Sequence, residues 1–134
     1  MNQIPFATFE VDVDEIVDFG EISIGHRRMV PIIGGTVNGS IGKGTILPGT
    51  DWQWLHADGT ISLDAHYSIS LQTGELVEVE SRGLRVVEGN GNVYFRTSIR
   101  LTTSEKRPDI NQRMFTSVGT RLDNKVILQL FPVD

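Results

Sequence analysis

Apolar and polar residues alternate one by one along most of this chain, and short glycine-bearing interruptions separate the alternating runs. A period of two sets successive side chains on opposite faces of an extended backbone, so the pattern predicts antiparallel strands with one face turned to a core. The segment FATFEVDVDEI sets Ala7, Phe9, Val11 and Val13 against Thr8, Glu10 and Asp12. TISLDAHYSISL gathers Ile61, Leu63, Ala65, Tyr67 and Ile69 on one face and Ser62, Asp64, His66 and Ser68 on the other. After the turn sequence QTGE, LVEVESRGL opposes Val77 and Val79 to Glu78 and Glu80, a hairpin signature. The turn GNGN leads into VYFRTSIRLTT, where Phe95, Thr97, Ile99 and Leu101 oppose Tyr94, Arg96, Ser98 and Arg100. RMFTSVGTR and KVILQLFPV, joined by LDN, supply the last strands. Helical signal is confined to SEKRPDINQ, where Pro108 limits any helix to about a turn.

Roughly eight to ten strands result, more than a flat twisted sheet carries without curling or splitting. The expectation is an all-β, single-domain antiparallel β-barrel over residues 1–134, with a two-sheet sandwich as the rival. Closure removes exposed edges, and the glycines of IIGGTVNGSIGKGT suit the bends it requires.

Composition narrows the function. With no cysteine, disulfides and thiolate chemistry are excluded. A formal net charge of −5 gives no basic field for phosphates, so a nucleic-acid partner is not expected. No apolar run approaches the roughly 20 residues of a membrane-spanning helix, and no leader is visible, so a cytoplasmic protein without a membrane partner is expected. His26, His56 and His66 lack short ligand spacing, so neither a metal nor another cofactor is expected. GSIGKGT lacks the spacing of a phosphate loop, and no serine sits on a Gly-x-Ser-x-Gly elbow.

GHRRMVPIIGGTVNGSIGKGTILPGTDWQ, LDAHY, GLRVV, YFRTSIRL and INQRMFTSVGTR followed by VILQLFPV resemble, in this order, the bacterial DUF3237 family, also called UPF0311. The resemblance covers nearly the whole chain. Its most specific parts are Pro31 with Gly34 and Gly35, the LPGTDW run and Tyr94-Phe95-Arg96. It implies a small antiparallel β-barrel. The chain departs from the family pattern at His66, where the family usually carries Arg, and at Thr50, where it usually carries Gly.

Candidate chemistry concentrates in LPGTDWQWLHADGTISLDAHYSISL. Asp51 follows a Pro-Gly turn, and its two readings are a loop-shaping acceptor and a general base at the barrel mouth between walls from Trp52 and Trp54. Asp64 and His66 share a strand face, an arrangement that poises an imidazole for acid–base work if that face lines the interior. The other reading is a solvated outer face. Arg96 could clamp a ligand carboxylate or pair with an acid. The expected catalytic set is therefore Asp51, Asp64 and His66; the expected ligand-binding set is Trp52, Trp54, Arg28, Tyr67 and Arg96, with Arg28 one of the neighbouring arginines of which alternation turns one inward. The expected partner is a small molecule, and a twin subunit making a homodimer is a way to cover exposed apolar positions. Two function classes remain: a cofactor-independent acid–base enzyme of lyase, isomerase or hydratase type acting on a small organic acid or phenolic compound, and a non-catalytic binding or structural barrel.

Overall fold

A computed structural model describes residues 3–134. Ten strands and one helical turn follow in order: β1 (Ala7–Val13), β2 (Val17–Ile22), β3 (Gly25–Gly39), β4 (Gly44–Ile46), β5 (Gly49–Leu55), β6 (Ile61–Leu71), β7 (Leu76–Val87), β8 (Val93–Thr103), α1 (Pro108–Asn111), β9 (Phe115–Arg121) and β10 (Lys125–Pro132). β2 escapes the alternation because Gly20, at φ 72°, interrupts it with a register shift. Pro108 opens α1, where a missing N–H costs no helical bond. No helix among the described residues is long and apolar enough to cross a membrane.

Neighbouring strands pair antiparallel from β3 through β4 and β5, β6, β7, β8, β9 and β10 to β1, and β1 pairs β3 again, Ala7 opposite Gly39. This last pairing closes the sheet into an antiparallel barrel and excludes the sandwich. β3 is long enough to serve both ends. Its C-terminal half lies between β1 and β4, and its N-terminal half between β2 and β5. The seam between β1 and β3 depends on Gly35: its φ is 137°, and a Cβ there would collide with the Glu10 carbonyl.

Inside, the barrel is divided by chemistry. At one end Phe9, Ile69, Val79, Ile99, Leu101 and Leu130 are fully buried, each contributing about 1.5–3 kcal/mol of hydrophobic stabilisation. Residues 104–112 plug this end. Ile110 of α1 is completely buried, and the Arg107 guanidinium donates to Glu75 Oε1 (3.0 Å), Asp109 Oδ2 (2.9 Å) and the Ile41 carbonyl (3.3 Å). Toward the opposite end the inward positions turn polar, with Gln53, Ser81, Thr97 and Ser117 all buried.

Candidate functional site

The polar end is built from inward positions of several strands. On β5, Asp51 faces Val30 on β3 and Ala65 on β6, while Gln53 faces Arg28 and Leu63. Regular pairing along β5 keeps all of these on the inner wall. Arg28 donates to Gln53 Oε1 through Nε (3.2 Å) and an Nη2 amine (2.7 Å), and Gln53 Nε2 donates to Asp51 Oδ2 at 2.9 Å. The second carboxylate oxygen of Asp51, Oδ1, is buried without a hydrogen-bond partner, as is the Tyr67 hydroxyl.

Both residues line one cavity of about 40 Å³, together with Ser81, Thr97 and Arg121 and a wall of valine, isoleucine and leucine side chains. A water needs roughly 10–15 Å³ measured in this way, so the space takes two or three waters or the reacting end of a small molecule. Burial pushes the Asp51 carboxyl up to about 6, against the opposing pull of hydrogen bonds from Gln53 and from the Asp64 backbone; the negative charge of Asp64 adds to the rise and Arg121 reduces it. Burial, and then the charge of Asp51, push the Tyr67 phenol upward, so it stays protonated. A carboxyl that titrates near neutrality and a permanent O–H donor thus share one small space. Such a pair can accept a proton and hold the resulting oxyanion.

Of the residues expected from sequence, Asp51, Tyr67 and Arg28 occupy this inner wall. The others do not. Trp52 pairs with Met29 and Asp64 on the outer face of the barrel, and Trp54 with Arg27 and Ser62. The expectation that these indoles flank Asp51 is corrected by parity: in an unbroken strand an inward Asp51 requires an outward Trp52. The indoles instead sandwich a surface cation, the Arg27 guanidinium lying 4.2 Å from the Trp54 ring centroid and 4.8 Å from that of Trp52.

Asp64, His66 and Arg96 also point outward, against the expectation that they face the interior. Ile61, Leu63, Ala65, Tyr67, Ile69 and Leu71 are all buried, so the intervening residues of β6 must face solvent. His66 Nε2 lies 3.1 Å and Arg82 Nε 3.4 Å from Asp64 Oδ1, in an ion-pair cluster about half exposed to water. Arg96 stacks over Tyr94 at 5.1 Å and donates to the Phe95 carbonyl. Among the described residues no cluster of three or more His, Cys, Asp or Glu is arranged to hold a metal ion.

Sequence reasoning did not place Gln53, Arg85 and Arg121 in the site. Arg85 lies opposite Ile61 and Phe95, and Arg121 opposite Val126, all inward positions. Counting parity from Val77 through Ser81 and Gly83 to Arg85 would have found the first.

These features define a closed antiparallel barrel with one plugged apolar end and one polar, partly open end. Residues 1–133 match the family model described as a protein of unknown function, DUF3237, and the chain belongs to that family. It is similar to a UPF0311 protein of Bradyrhizobium diazoefficiens, 33% identical over 94% of this chain and 92% of the relative. A UPF0311 protein of Clostridium acetobutylicum is 30% identical over 99% and 94%. Among solved structures, a conserved protein of unknown function from Rhodopseudomonas palustris superposes with a TM-score of 0.91 at 28% identity, covering 98% of this chain and 96% of that one. A beta-barrel like protein from Acinetobacter baumannii gives 0.90 at 28%, covering 98% and 94%. The fold is shared by a protein from Penicillium herquei described as an enzyme, with a TM-score of 0.69, 19% identity and 98% of both chains covered.

Proposed function

We propose that this protein binds a small organic molecule in the polar end of its barrel and transfers a proton to or from it through Asp51. The observation that carries this reading is that Asp51 and Tyr67 line the same cavity and that each has a buried oxygen, Oδ1 and the hydroxyl, without a hydrogen-bond partner. Buried polar atoms are nearly always hydrogen-bonded, and an orphan costs about 1–3 kcal/mol. Two orphans facing one space are a cost that a ligand removes. A general base works best with a pKa near ambient pH, and Asp51 is pushed to about 6. The chemistry this favours is removal and return of a proton beside a carbonyl, with Asp51 as the base and the Tyr67 O–H as donor to the developing enolate oxygen. Isomerisation, hydration and elimination on a small organic acid or phenolic compound all contain such a step.

The test is incubation with pyruvate or 2-butanone in D2O, following loss of the C–H signal next to the carbonyl by proton NMR. Deuterium should enter at least one of the two faster with the parent than with Asp51→Asn, and the rate should rise with pH through about 6. A compound that binds in the cavity but exchanges equally with both proteins would leave a binding barrel without catalysis. That second reading is favoured by the small size of the cavity, which holds a group more readily than a complete substrate.

A further inference from the structure

Three cations sit at the polar end of the barrel: Arg121 lines the cavity beside Asp51, and Arg85 lies near enough to it and to Arg28 to couple with both by charge. Arg28 on β3, Arg85 on β7 and Arg121 on β9 take inward positions at one end of the barrel. Among the described residues none of them lies within ion-pair distance of a carboxylate: the ion pairs of this chain involve Arg82, Arg107, Lys125 and histidines instead. Arg28 is held on a neutral amide oxygen, Gln53 Oε1. Arg121 donates only a long bond, 3.4 Å, to the Asp123 carbonyl. Arg85 Nε is buried with no partner.

We propose that these arginines form a carboxylate subsite, so that the molecule bound beside Asp51 is a small organic acid held with its anionic head at the barrel mouth and its short carbon chain inside. The inference rests on the reading of the cavity as a binding site and names the class of its ligand. Guanidinium forks match carboxylate geometry with two parallel bonds, and a site walled by apolar side chains strengthens each of them. The arginines also repel one another: burial first, and then the charges of Arg121 and Arg28, depress the Arg85 pKa. An anion between them relieves that repulsion and supplies the acceptor that Arg85 Nε lacks. This attraction is local, because the chain as a whole carries a formal charge of −5. Depth decides the orientation of the ligand. Leu63, Val30 and Ala65 line the inner space with hydrocarbon and Asp51 and Tyr67 line it too, so an acid whose carboxylate is held by the arginines would carry its carbon chain toward Asp51.

The experiment uses butyrate and its near-isosteric neutral counterpart, butyramide, titrated into the labelled protein while the arginine Nε–H and Tyr67 ring signals are followed by NMR. Butyrate is expected to shift the Arg85 Nε–H signal saturably and to bind at least about tenfold more tightly than butyramide, since charge-assisted bonds are roughly twice as strong as neutral ones. Arg85→Gln and Arg121→Gln should each weaken butyrate by about tenfold and leave butyramide unchanged, which also shows that the variants are folded. Butyrate affinity should rise as pH falls through about 6, where Asp51 loses its competing negative charge. The charged and titratable groups about Asp51 are Arg28, Asp64, Tyr67, Arg85 and Arg121, and Asp51→Asn should abolish this dependence. Butyramide binding as well as butyrate, with the arginine signals unmoved, would overturn the carboxylate subsite while leaving the binding cavity intact. If neither compound perturbs the cavity at millimolar concentration, the subsite and the reading beneath it fail together.

Discussion

Gln53 stands between Arg28 and Asp51: its carbonyl oxygen accepts both bonds from the guanidinium, and its amide donates to Asp51 Oδ2 at 2.9 Å. The carboxyl therefore receives neutral hydrogen bonds, from Gln53 first and then from the Asp64 backbone, rather than an ion pair. Desolvation then prevails, and the carboxyl titrates at about 6.

Gln53→Met removes the strongest influence holding the Asp51 pKa down while preserving much of the side-chain volume. The Asp51 titration midpoint should move above about 6, as followed by the carbon-13 shift of its carboxyl. A midpoint falling toward an ordinary aspartate would mean that Arg28 swings in to pair with it directly.

Asp51 should make the folded barrel less stable as pH rises. Its pKa is raised from 3.8 to about 6, so between these values the folded state holds a proton that the unfolded state has lost. Stability falls across that window and is level above it. The shift of roughly two units corresponds to about 3 kcal/mol. Asp51→Asn should have little effect below the window and be more stable than the parent above it, by up to about 3 kcal/mol, in denaturant unfolding at several pH values.

Tyr67→Phe deletes a hydroxyl that is buried without a partner. Stability should be unchanged or higher by about 1 kcal/mol, because no hydrogen bond is lost. Deuterium exchange into a bound carbonyl compound should slow all the same. A large loss of stability would reveal a hidden partner for the hydroxyl.

The outer cluster should behave in the opposite way. Asp64→Asn with His66→Ala removes an exposed ion-pair group, worth about 0–1 kcal/mol. Butyrate affinity should stay within about twofold of the parent, against the loss of about tenfold expected for Arg85→Gln.

Gly35→Ala tests the seam. An alanine cannot easily adopt φ 137° and would drive its Cβ into the Glu10 carbonyl, so a loss of about 1–3 kcal/mol or more is expected in thermal unfolding. Amide exchange should accelerate first in β1 and β3, the strands that close the ring.

The alternation in β6 was legible because it is a local property: Leu63, Ala65 and Tyr67 must share a face, and so must Asp64 and His66, whatever the strand packs against. The hairpins at QTGE and GNGN, the single turn around Pro108 and the family resemblance were legible for the same reason, as short stretches carry them. Which face became the interior was not a local matter. It followed from packing the whole ring, where the continuous apolar set from Ile61 to Leu71 outweighed the polar set between them. The turn before Asp51 marks where β5 begins, but it is the register of β5 that turns Asp51 inward and Trp52 outward, since adjacent residues of a strand cannot both face inward. Arg28, Arg85 and Arg121 come from three strands far apart in sequence and share the inside of one end of the barrel only through strand pairing and register. The sequence alone determined the strands and the residues that travel together on each face; tertiary closure decided which faces meet, since a convergence of charges across a barrel is a long-range consequence of register.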